Sequence, residues 1–222
     1  MRPEIDSLII YEDAHIIVCH KPAGIPVQTA RIGTPDMVSM LKTHLAPSSE
    51  GEPYLAVIHR LDQPVEGLLV FAKTPAAARE LNRQLTASGF GKYYRAVVRG
   101  IPEPVEGTLE DYMVKDRRTN TSRICDRNTP GAKRARLHYQ VKEIYRDSDP
   151  ATSLVKIKLD TGRHHQIRVQ MAHIGCPLAG DRKYGDQKST GPLRLCAYRL
   201  EFKHPATQKD MVFELPADPD FL

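Results

Sequence analysis

An arginine and a carboxylate stand two residues apart in the segment HRLDQPVEGLLVFAKT, residues 59–74. The preceding run, 54–58, is rich in β-branched and aromatic residues and predicts a strand, which Pro64 should end because proline cannot donate to a ladder. Side chains two apart in a strand share a face, so we expect Arg60 and Asp62 to project together. A carboxylate held this way can act as a nucleophile or stabilise positive charge. A structural ion pair is the alternative, since such pairs are common.

The neighbouring residues predict how this pair is held. Residues 67–72 form a short apolar run that predicts a buried strand, so Asp62 would lie between two elements that cannot easily move. His59 and Leu61 are expected to point to the opposite face.

The whole segment resembles HRLDxxTSGLLVFAKT, the signature of the RluA-type pseudouridine synthases. It departs from that signature only at Val65 and Glu66, where the family pattern has Thr and Ser. The resemblance implies that Asp62 is the catalytic carboxylate, that Arg60 occupies the space left by a flipped base, and that His59 contributes to substrate binding. The two departures fall in the predicted turn and concern its local hydrogen bonding.

Further motifs follow along the chain in the order of the family. YEDAHIIVCHKPAGIPV resembles the family's opening strand pair and KPAG loop, and KYYRAVVRG matches KxYxAxVxG. The segment 161–185 resembles TGRxHQIRVHxAxxGxPIxGDxxYG, with Gln170 in place of a frequent His. LRLCAYRLEFKHP resembles the closing LxLHAxxLxFxHP, with Cys196 where His is usual.

The resemblance implies roles for three residues in these motifs. Tyr94 would lie against the target uracil and take part in proton abstraction from the sugar, whereas Tyr93 faces the other side of the strand. Arg168 would pair with the carboxylate of Asp62, and Leu195 would pack in the active site. Without the family pattern, Tyr94 would be interpreted as a half-buried packing residue with its hydroxyl at the edge.

Two helix starts and one helical stripe are predicted. The segments 34–36 and 74–75 each place a Thr before a Pro, which indicates a hydroxyl N-cap followed by proline in the first turn. Ile167, Met171 and Ile174 share a helical spacing, so 165–174 predicts a helix packed by that face.

Residues 115–136 are polar and strongly basic, with one acid from Arg117 onward. A flexible basic loop can contact phosphates, because neutralising charge does not require a fixed geometry. We therefore assign Arg117 and Arg118 to RNA binding, with a solvated surface hairpin as the alternative.

Composition sets broad limits. The 222 residues carry a formal charge of +5, which suits a polyanionic partner without requiring one. The four cysteines lie far apart and predict reduced thiols. The chain start lacks a signal-peptide pattern and no apolar run is long enough for a membrane helix, so we expect a cytoplasmic protein without a membrane partner. His164, His165 and His173 lack a Cys or carboxylate that would complete a metal site.

The resemblance implies a single catalytic domain, residues 1–222, without the small S4 RNA-binding domain of many relatives. The expected fold class is α+β, with a large, mainly antiparallel mixed sheet, flanking helices and a central active-site cleft. The expected activity is isomerisation of uridine in ribosomal or transfer RNA by a monomer that needs no metal and no other cofactor.

Two other functions remain open. A non-catalytic RNA-binding or ribosome-assembly protein could use the same scaffold. A glycoside hydrolase would need two carboxylates flanking one bond, and only Glu66 lies near Asp62 in the sequence.

Overall fold

The computed structural model describes residues 4–49, 51–87, 89–147, 149–217 and 221. The chain divides into two compact units, residues 1–91 with 197–216 and residues 92–196 with 217–222. That residues 1–222 form a single catalytic domain stays a prediction.

Four helices and eleven strands are found in the described part of the chain. The helices are α1 (Ile5–Leu8), α2 (Met37–Leu45), α3 (Pro75–Thr86) and α4 (Gln166–His173), and a 3₁₀ turn, Ala46–Ser48, follows α2. The strands are β1 (Ile9–Glu12), β2 (Ile16–Lys21), β3 (Ala56–Val57), β4 (Glu66–Ala72), β5 (Gly91–Arg99), β6 (Glu106–Asp116), β7 (Thr121–Cys125), β8 (Lys133–Tyr145), β9 (Thr152–Leu159), β10 (Leu195–Lys203) and β11 (Asp210–Glu214).

The first unit is built around β4, whose residues 67–72 are all buried. This strand pairs antiparallel with β2 and with the short β3, and β2 pairs in turn with β1. The hairpin of β10 and β11 belongs mostly to the same unit. Helix α3 packs Leu81 into a core with Val70, Phe90 and Phe202. A continuous apolar run therefore forms the centre of this unit.

Helix α3 begins where the sequence predicts, with Thr74 accepting a hydrogen bond from the Ala77 backbone at 3.1 Å. The predicted start of α2 was wrong, because the cap is Asp36 rather than a hydroxyl residue. Its carboxylate accepts from the backbone N–H groups of Ser39 and Thr29, each at 2.7 Å, and Ser39 completes a capping box. A buried carboxylate with two backbone donors caps more strongly than a threonine two residues earlier.

The second unit is an antiparallel series of strands in the order β5, β9, β8, β6, β7. The predicted flexible basic loop at 115–136 was wrong, since β6, β7 and the start of β8 cover most of it. Most of its basic side chains are exposed beside buried residues such as Ser122 and Ala135, whereas Arg136 is half-buried. The hairpin alternative is the one that the structure contains.

Helix α4 is buried on every side rather than along one stripe. Residues 165–171 are all buried, including Gln166, Arg168 and Gln170. Val169 packs with Met113 of β6 and Ala135 of β8 in a small core. The Ile167 and Met171 positions of the predicted stripe are buried as expected, but the polar positions between them are buried too.

Every strand pair named above is antiparallel, and the architecture is α+β, as the sequence predicted. Within the described part of the chain, no helix has the length and apolar character needed to span a bilayer.

Candidate active site

Asp62 lies in the connection between β3 and β4, beyond the end of a strand. β3 pairs with β4 only through Ala56 and Val57, so the chain leaves the ladder before the Arg-Leu-Asp sequence is reached. The prediction that a strand fixes Arg60 and Asp62 on one face was therefore wrong. Asp62 is half-buried and Arg60 is exposed.

A tight turn fixes the backbone on either side of this carboxylate. The Val65 N–H donates to the Asp62 carbonyl oxygen at 3.0 Å. The Gln63 carbonyl oxygen accepts from the Gly24 N–H at 2.8 Å, and the Gln63 side-chain amide donates to the Gly24 carbonyl oxygen at 2.9 Å. The KPAG loop and the turn after Asp62 are thus joined by hydrogen bonds in both directions.

The Lys21 side chain also joins the KPAG loop to the turn after Asp62, and this role was not recognised in the sequence. Its side chain is fully buried, and Nζ donates to the carbonyl oxygens of Pro22 at 2.9 Å, Ile25 at 2.7 Å and Gln63 at 3.2 Å. A buried ammonium needs such partners, because an uncompensated charge in a protein interior is costly. A lysine that ends an apolar strand before a proline was the available signal in the sequence.

The charge of Lys21 also acts on the carboxylates nearby. Burial lowers the pKa of the Lys21 ammonium to about 8, although Asp62 and Glu66 act to raise it. Lys21 is still mostly protonated at neutral pH. Because the attraction between an ammonium and a carboxylate is mutual, Lys21 favours the ionised form of Asp62.

Arg60 and the residue before it, His59, differ in exposure. Arg60 places its guanidinium in solvent, with one 3.5 Å contact to the Gln28 carbonyl oxygen. His59 is turned inward, where Nε2 accepts from the Val70 N–H at 3.4 Å and the ring packs against Phe90. The predicted substrate contact of Arg60 suits its position, whereas His59 has contacts that support the core; both roles stay predictions.

Tyr94 lies in β5 opposite Ile157 of β9 and is buried. Its neighbour Tyr93 is half-buried, with the Lys158 ammonium 5.7 Å from its ring centroid. Leu195, the first residue of β10, is also buried. The second unit thus supplies a buried phenol at the position that the family motif predicted.

Arg168 makes a buried bidentate ion pair with Asp181. Its Nε and one terminal nitrogen each donate to a carboxylate oxygen at 2.8 Å, and the side chains are 7% and 0% exposed. The backbone N–H groups of Lys183 and Tyr184 donate to the same carboxylate. The Arg168 guanidinium carbon also lies 5.1 Å from the Tyr184 ring centroid.

These contacts set the charge state of Asp181. Burial alone would raise the pKa of its carboxyl, but the Arg168 hydrogen bond and charge and the two backbone donors lower it. Asp181 is therefore an ionised partner that orients the Arg168 guanidinium. Sequence reasoning missed this residue, although it lies in the GDxxYG part of a matched motif.

The adjacent histidines belong to the same hydrogen-bond network. The rings of His164 and His165 stack 3.7 Å apart; His164 Nδ1 pairs with the Ser122 hydroxyl at 2.9 Å and His165 Nδ1 with the Tyr184 hydroxyl at 2.6 Å. Burial, followed by neighbouring cations, lowers the pKa of His164 to about 4 and of His165 to about 3. Both are neutral at physiological pH. No group of three ligating side chains among the described residues has metal-site geometry.

Arg117 and Arg118 occupy the turn between β6 and β7. Asp116 shapes this turn by accepting from the Arg118 N–H and from the Thr119 hydroxyl, each at 2.8 Å. Both guanidinium groups are left in solvent. The turn thus presents two cations on an ordered hairpin.

Comparison with known proteins identifies the family. The family described as RNA pseudouridylate synthase matches residues 15–173, which is most of the chain and includes the Asp62, Tyr94 and Arg168 motifs. This chain belongs to the RNA pseudouridylate synthase family.

Curated relatives of this pseudouridine synthase extend the match to the whole chain. The ribosomal large subunit pseudouridine synthase D of Pseudomonas aeruginosa is 36% identical over all of this chain and 72% of its own length. YlyB, an uncharacterized RNA pseudouridine synthase of Bacillus subtilis, is 36% identical over 97% of this chain and 71% of its own. The resemblance found in the motifs is confirmed, and the chain is an enzyme that isomerises uridine in RNA.

Solved structures confirm the fold. Human RNA pseudouridylate synthase domain containing 4 superimposes with a TM-score of 0.77, covering 98% of this chain and 92% of its own at 24% identity. Human RNA pseudouridylate synthase domain containing 1 gives 0.74, covering 100% and 89% at the same identity. The predicted pseudouridine synthase fold is therefore the observed one.

Proposed function

We propose that this enzyme converts one or a few uridines of large-subunit ribosomal RNA to pseudouridine, with Asp62 as the catalytic carboxylate. The observation that carries the role of Asp62 is the way Lys21 and the KPAG loop hold the turn that bears it. The ribosomal target is supported by the relatives that are named as ribosomal large subunit pseudouridine synthases.

The reaction needs no second substrate. The N1–C1′ bond of uridine breaks, the uracil turns, and a C5–C1′ bond forms, while C5 loses a proton and N1 gains one. Oxidation state and composition are unchanged, so the isomerisation requires neither a redox cofactor nor a nucleotide. The target base must first leave its stack, at a cost of a few kcal/mol.

Each site residue has a proposed role in this sequence. Asp62 acts as nucleophile or stabilises the positive charge at C1′, as a glycosidase carboxylate does. Arg60 fills the space from which the base has moved, which suits its exposed guanidinium. Tyr94 contacts the uracil and takes part in removing a sugar proton, and Leu195 packs against the base. Arg168, oriented by Asp181, supports the ionised catalytic carboxylate.

Further RNA contacts are proposed for exposed groups. Arg117 and Arg118 bind backbone phosphates, where contacts position the RNA without reading its sequence. His59 supports the turn that presents Arg60 and Asp62 to the nucleotide. We infer that the enzyme works in the cytoplasm as a monomer, because its proposed RNA is found there and the proposed roles require one chain.

The test is pseudouridine mapping of ribosomal and transfer RNA from cells with and without the gene. Cells lacking it are complemented with wild type, Asp62→Ala, or the control Asp147→Ala, which changes an exposed aspartate. The proposal expects ribosomal sites to disappear and to return with wild type and the control only. Restoration by Asp62→Ala would overturn the role of Asp62, and loss confined to transfer RNA would overturn the ribosomal target. No change in either RNA would favour a non-catalytic assembly role.

A further inference from the structure

Lys92 stands two residues before Tyr94 in β5, so the two side chains leave the strand on the same face. Its ammonium lies against Gly162, where an added Cβ would come within 3.2 Å of the Lys92 Nζ. Gly162 is exposed, so solvent reaches this position from outside. The ammonium therefore lies just beneath the surface, where the missing side chain of residue 162 leaves an opening.

Among the described residues, none forms a hydrogen bond or an ion pair with the Lys92 ammonium. Burial lowers the pKa of Lys92, and the Arg163 guanidinium lowers it further, while Asp160 acts to raise it. Asp160 is engaged elsewhere, since its carboxylate lies 3.0 Å from His138 Nε2 and 3.3 Å from Arg136 Nε. The Lys92 and Arg163 cations thus repel each other beside a carboxylate that other groups already neutralise.

Arg163 has donors to spare at the same place. Its Nε donates to the Arg134 carbonyl oxygen at 2.8 Å, and its terminal NH₂ groups bond to nothing in the described part of the chain. Guanidinium and ammonium groups together are the usual protein partners of phosphate oxygens. An anion that binds both groups when the enzyme works would offset the repulsion that Asp160 leaves uncompensated.

Hydrogen bonds from buried amide side chains hold the loop that carries Gly162 and Arg163. Gln166 is buried, and its Oε1 accepts from the Thr161 hydroxyl at 2.7 Å and from the Arg163 N–H at 3.0 Å. Its amide nitrogen donates to Gln170 Oε1 at 3.0 Å, and Gln170 donates to Asp111 at 2.6 Å. Because this chain of amides fixes the loop, little ordering would be needed on binding.

We infer that Lys92 and Arg163 form a phosphate site, and that it takes a backbone phosphate of the RNA next to the nucleotide that Tyr94 contacts. This inference rests on the proposed function, since that function makes RNA the source of the phosphate. It explains why a lysine precedes the tyrosine by two residues and why a glycine stands at 162.

The experiment measures RNA affinity at several salt concentrations for Lys92→Met and Arg163→Met. The RNA is the hairpin that carries the mapped uridine or, if mapping gives none, large-subunit ribosomal RNA. Lys142→Met, an exposed lysine of β8, is the matched control. Each site variant should weaken binding about tenfold at low salt and reduce the slope of log K against log salt by about 0.7 to 0.9.

If Lys92 and Arg163 bind the same phosphate, the variant that changes both residues has a specific expected salt dependence. Its slope should fall by the same amount as that of one single variant, because only one phosphate contact is lost. Lys92→Arg, which keeps the charge, should restore most of the slope. Equal slopes for Lys92→Met and Lys142→Met would overturn the inference, as would a double variant that loses twice the slope.

Two further measurements distinguish the phosphate site from the proposed function, and RNA phosphate from free inorganic phosphate as its ligand. Pseudouridine formation by wild type is scored independently of binding, so an inactive wild type with the predicted slopes would fail the proposed function and keep the phosphate site. Inorganic phosphate is tested by its effect on the Tm. Stabilisation that depends on Lys92, together with unchanged RNA slopes, would overturn RNA as the ligand.

Discussion

Breaking the buried ion pair between Arg168 and Asp181 should strongly lower the stability of the protein. The two side chains are 7% and 0% exposed and share two hydrogen bonds of 2.8 Å. Removing one partner of such a pair leaves the other charge buried, which typically costs about 3–5 kcal/mol. Asp181→Asn keeps an oxygen that can still accept from the Lys183 and Tyr184 backbone, but it removes the negative charge and the acceptor for the Arg168 Nε–H group. We expect it to lower the free energy of unfolding by about 3 kcal/mol.

The assay is a double-mutant cycle by urea unfolding with Arg168→Met, Asp181→Asn and the double variant. The double variant should be more stable than the sum of the singles predicts, with a coupling energy of about 1.5–3 kcal/mol. The pH dependence gives a second readout. Because the native pKa of Asp181 is lowered, its contribution is present above 3.8 and is lost as the pH falls below that value. Asp181→Asn should lack that part of the acid destabilisation.

The prediction would be refuted if the two single variants had additive effects on the unfolding free energy, or if each lowered it by less than about 1 kcal/mol. A buried charge that loses its partner should cost more than that. This test reads stability alone and is independent of any catalytic role of Arg168.

Three further predictions concern the two units. Gly67→Ala should lower the unfolding free energy by about 3 kcal/mol or more, because φ is +130° and the new Cβ would lie 2.4 Å from the Ala197 carbonyl oxygen. The control Gly33→Ala has a φ of +75° but open space around the new Cβ, so it should lower the Tm far less. Equal losses of Tm in the two variants would contradict this prediction. Burial lowers the pKa of Lys21 to about 8 in the native protein, against an ordinary value of 10.5. Between those pH values the unfolded chain binds more protons than the native protein, so the unfolding free energy of wild type should rise by about 3 kcal/mol. An equal rise in the unfolding free energy of Lys21→Met over the same pH range would contradict this prediction. Tyr94→Phe should reduce pseudouridine formation at least about 100-fold with little change in RNA affinity, and a wild-type rate in a quenched-reaction assay would remove Tyr94 from the mechanism.

Several elements of the fold could be predicted from the sequence because local interactions determine them. The apolar run of β4 and the alternation of β5 predicted strands that the structure contains. Thr74 followed by proline predicted the start of α3 for the same reason, since a helix cap is a local interaction.

The wrong predictions came from contacts between residues far apart in the sequence. β3 pairs with β4 only at Ala56 and Val57, and no local sequence pattern reveals that the pairing ends there. The hairpin at 115–136 depends on β8, and its charges conceal the alternation. Helix α4 is surrounded on all sides, so its burial has no periodic signal.

Lys21 and Asp181 were missed for a related reason. A buried charge is tolerated only through its tertiary partners, and these are Gln63 for Lys21 and Arg168 for Asp181. Each residue lies inside a matched motif, so the signal was present without a physical explanation. The structure supplies that explanation by showing which charges and carbonyl groups surround them.

The catalytic role of Asp62 is tested most directly by the single-turnover rate of pseudouridine formation by Asp62→Asn, measured together with its RNA affinity. Asparagine keeps the size of the side chain and removes only the charge and nucleophilicity of the carboxylate. We expect a rate at least about 1,000-fold below wild type, as for a group that acts on the reacting atoms. RNA affinity and unfolding free energy should stay close to wild type. Pseudouridine formation by Asp62→Asn at the wild-type rate would show that Asp62 is not the catalytic carboxylate.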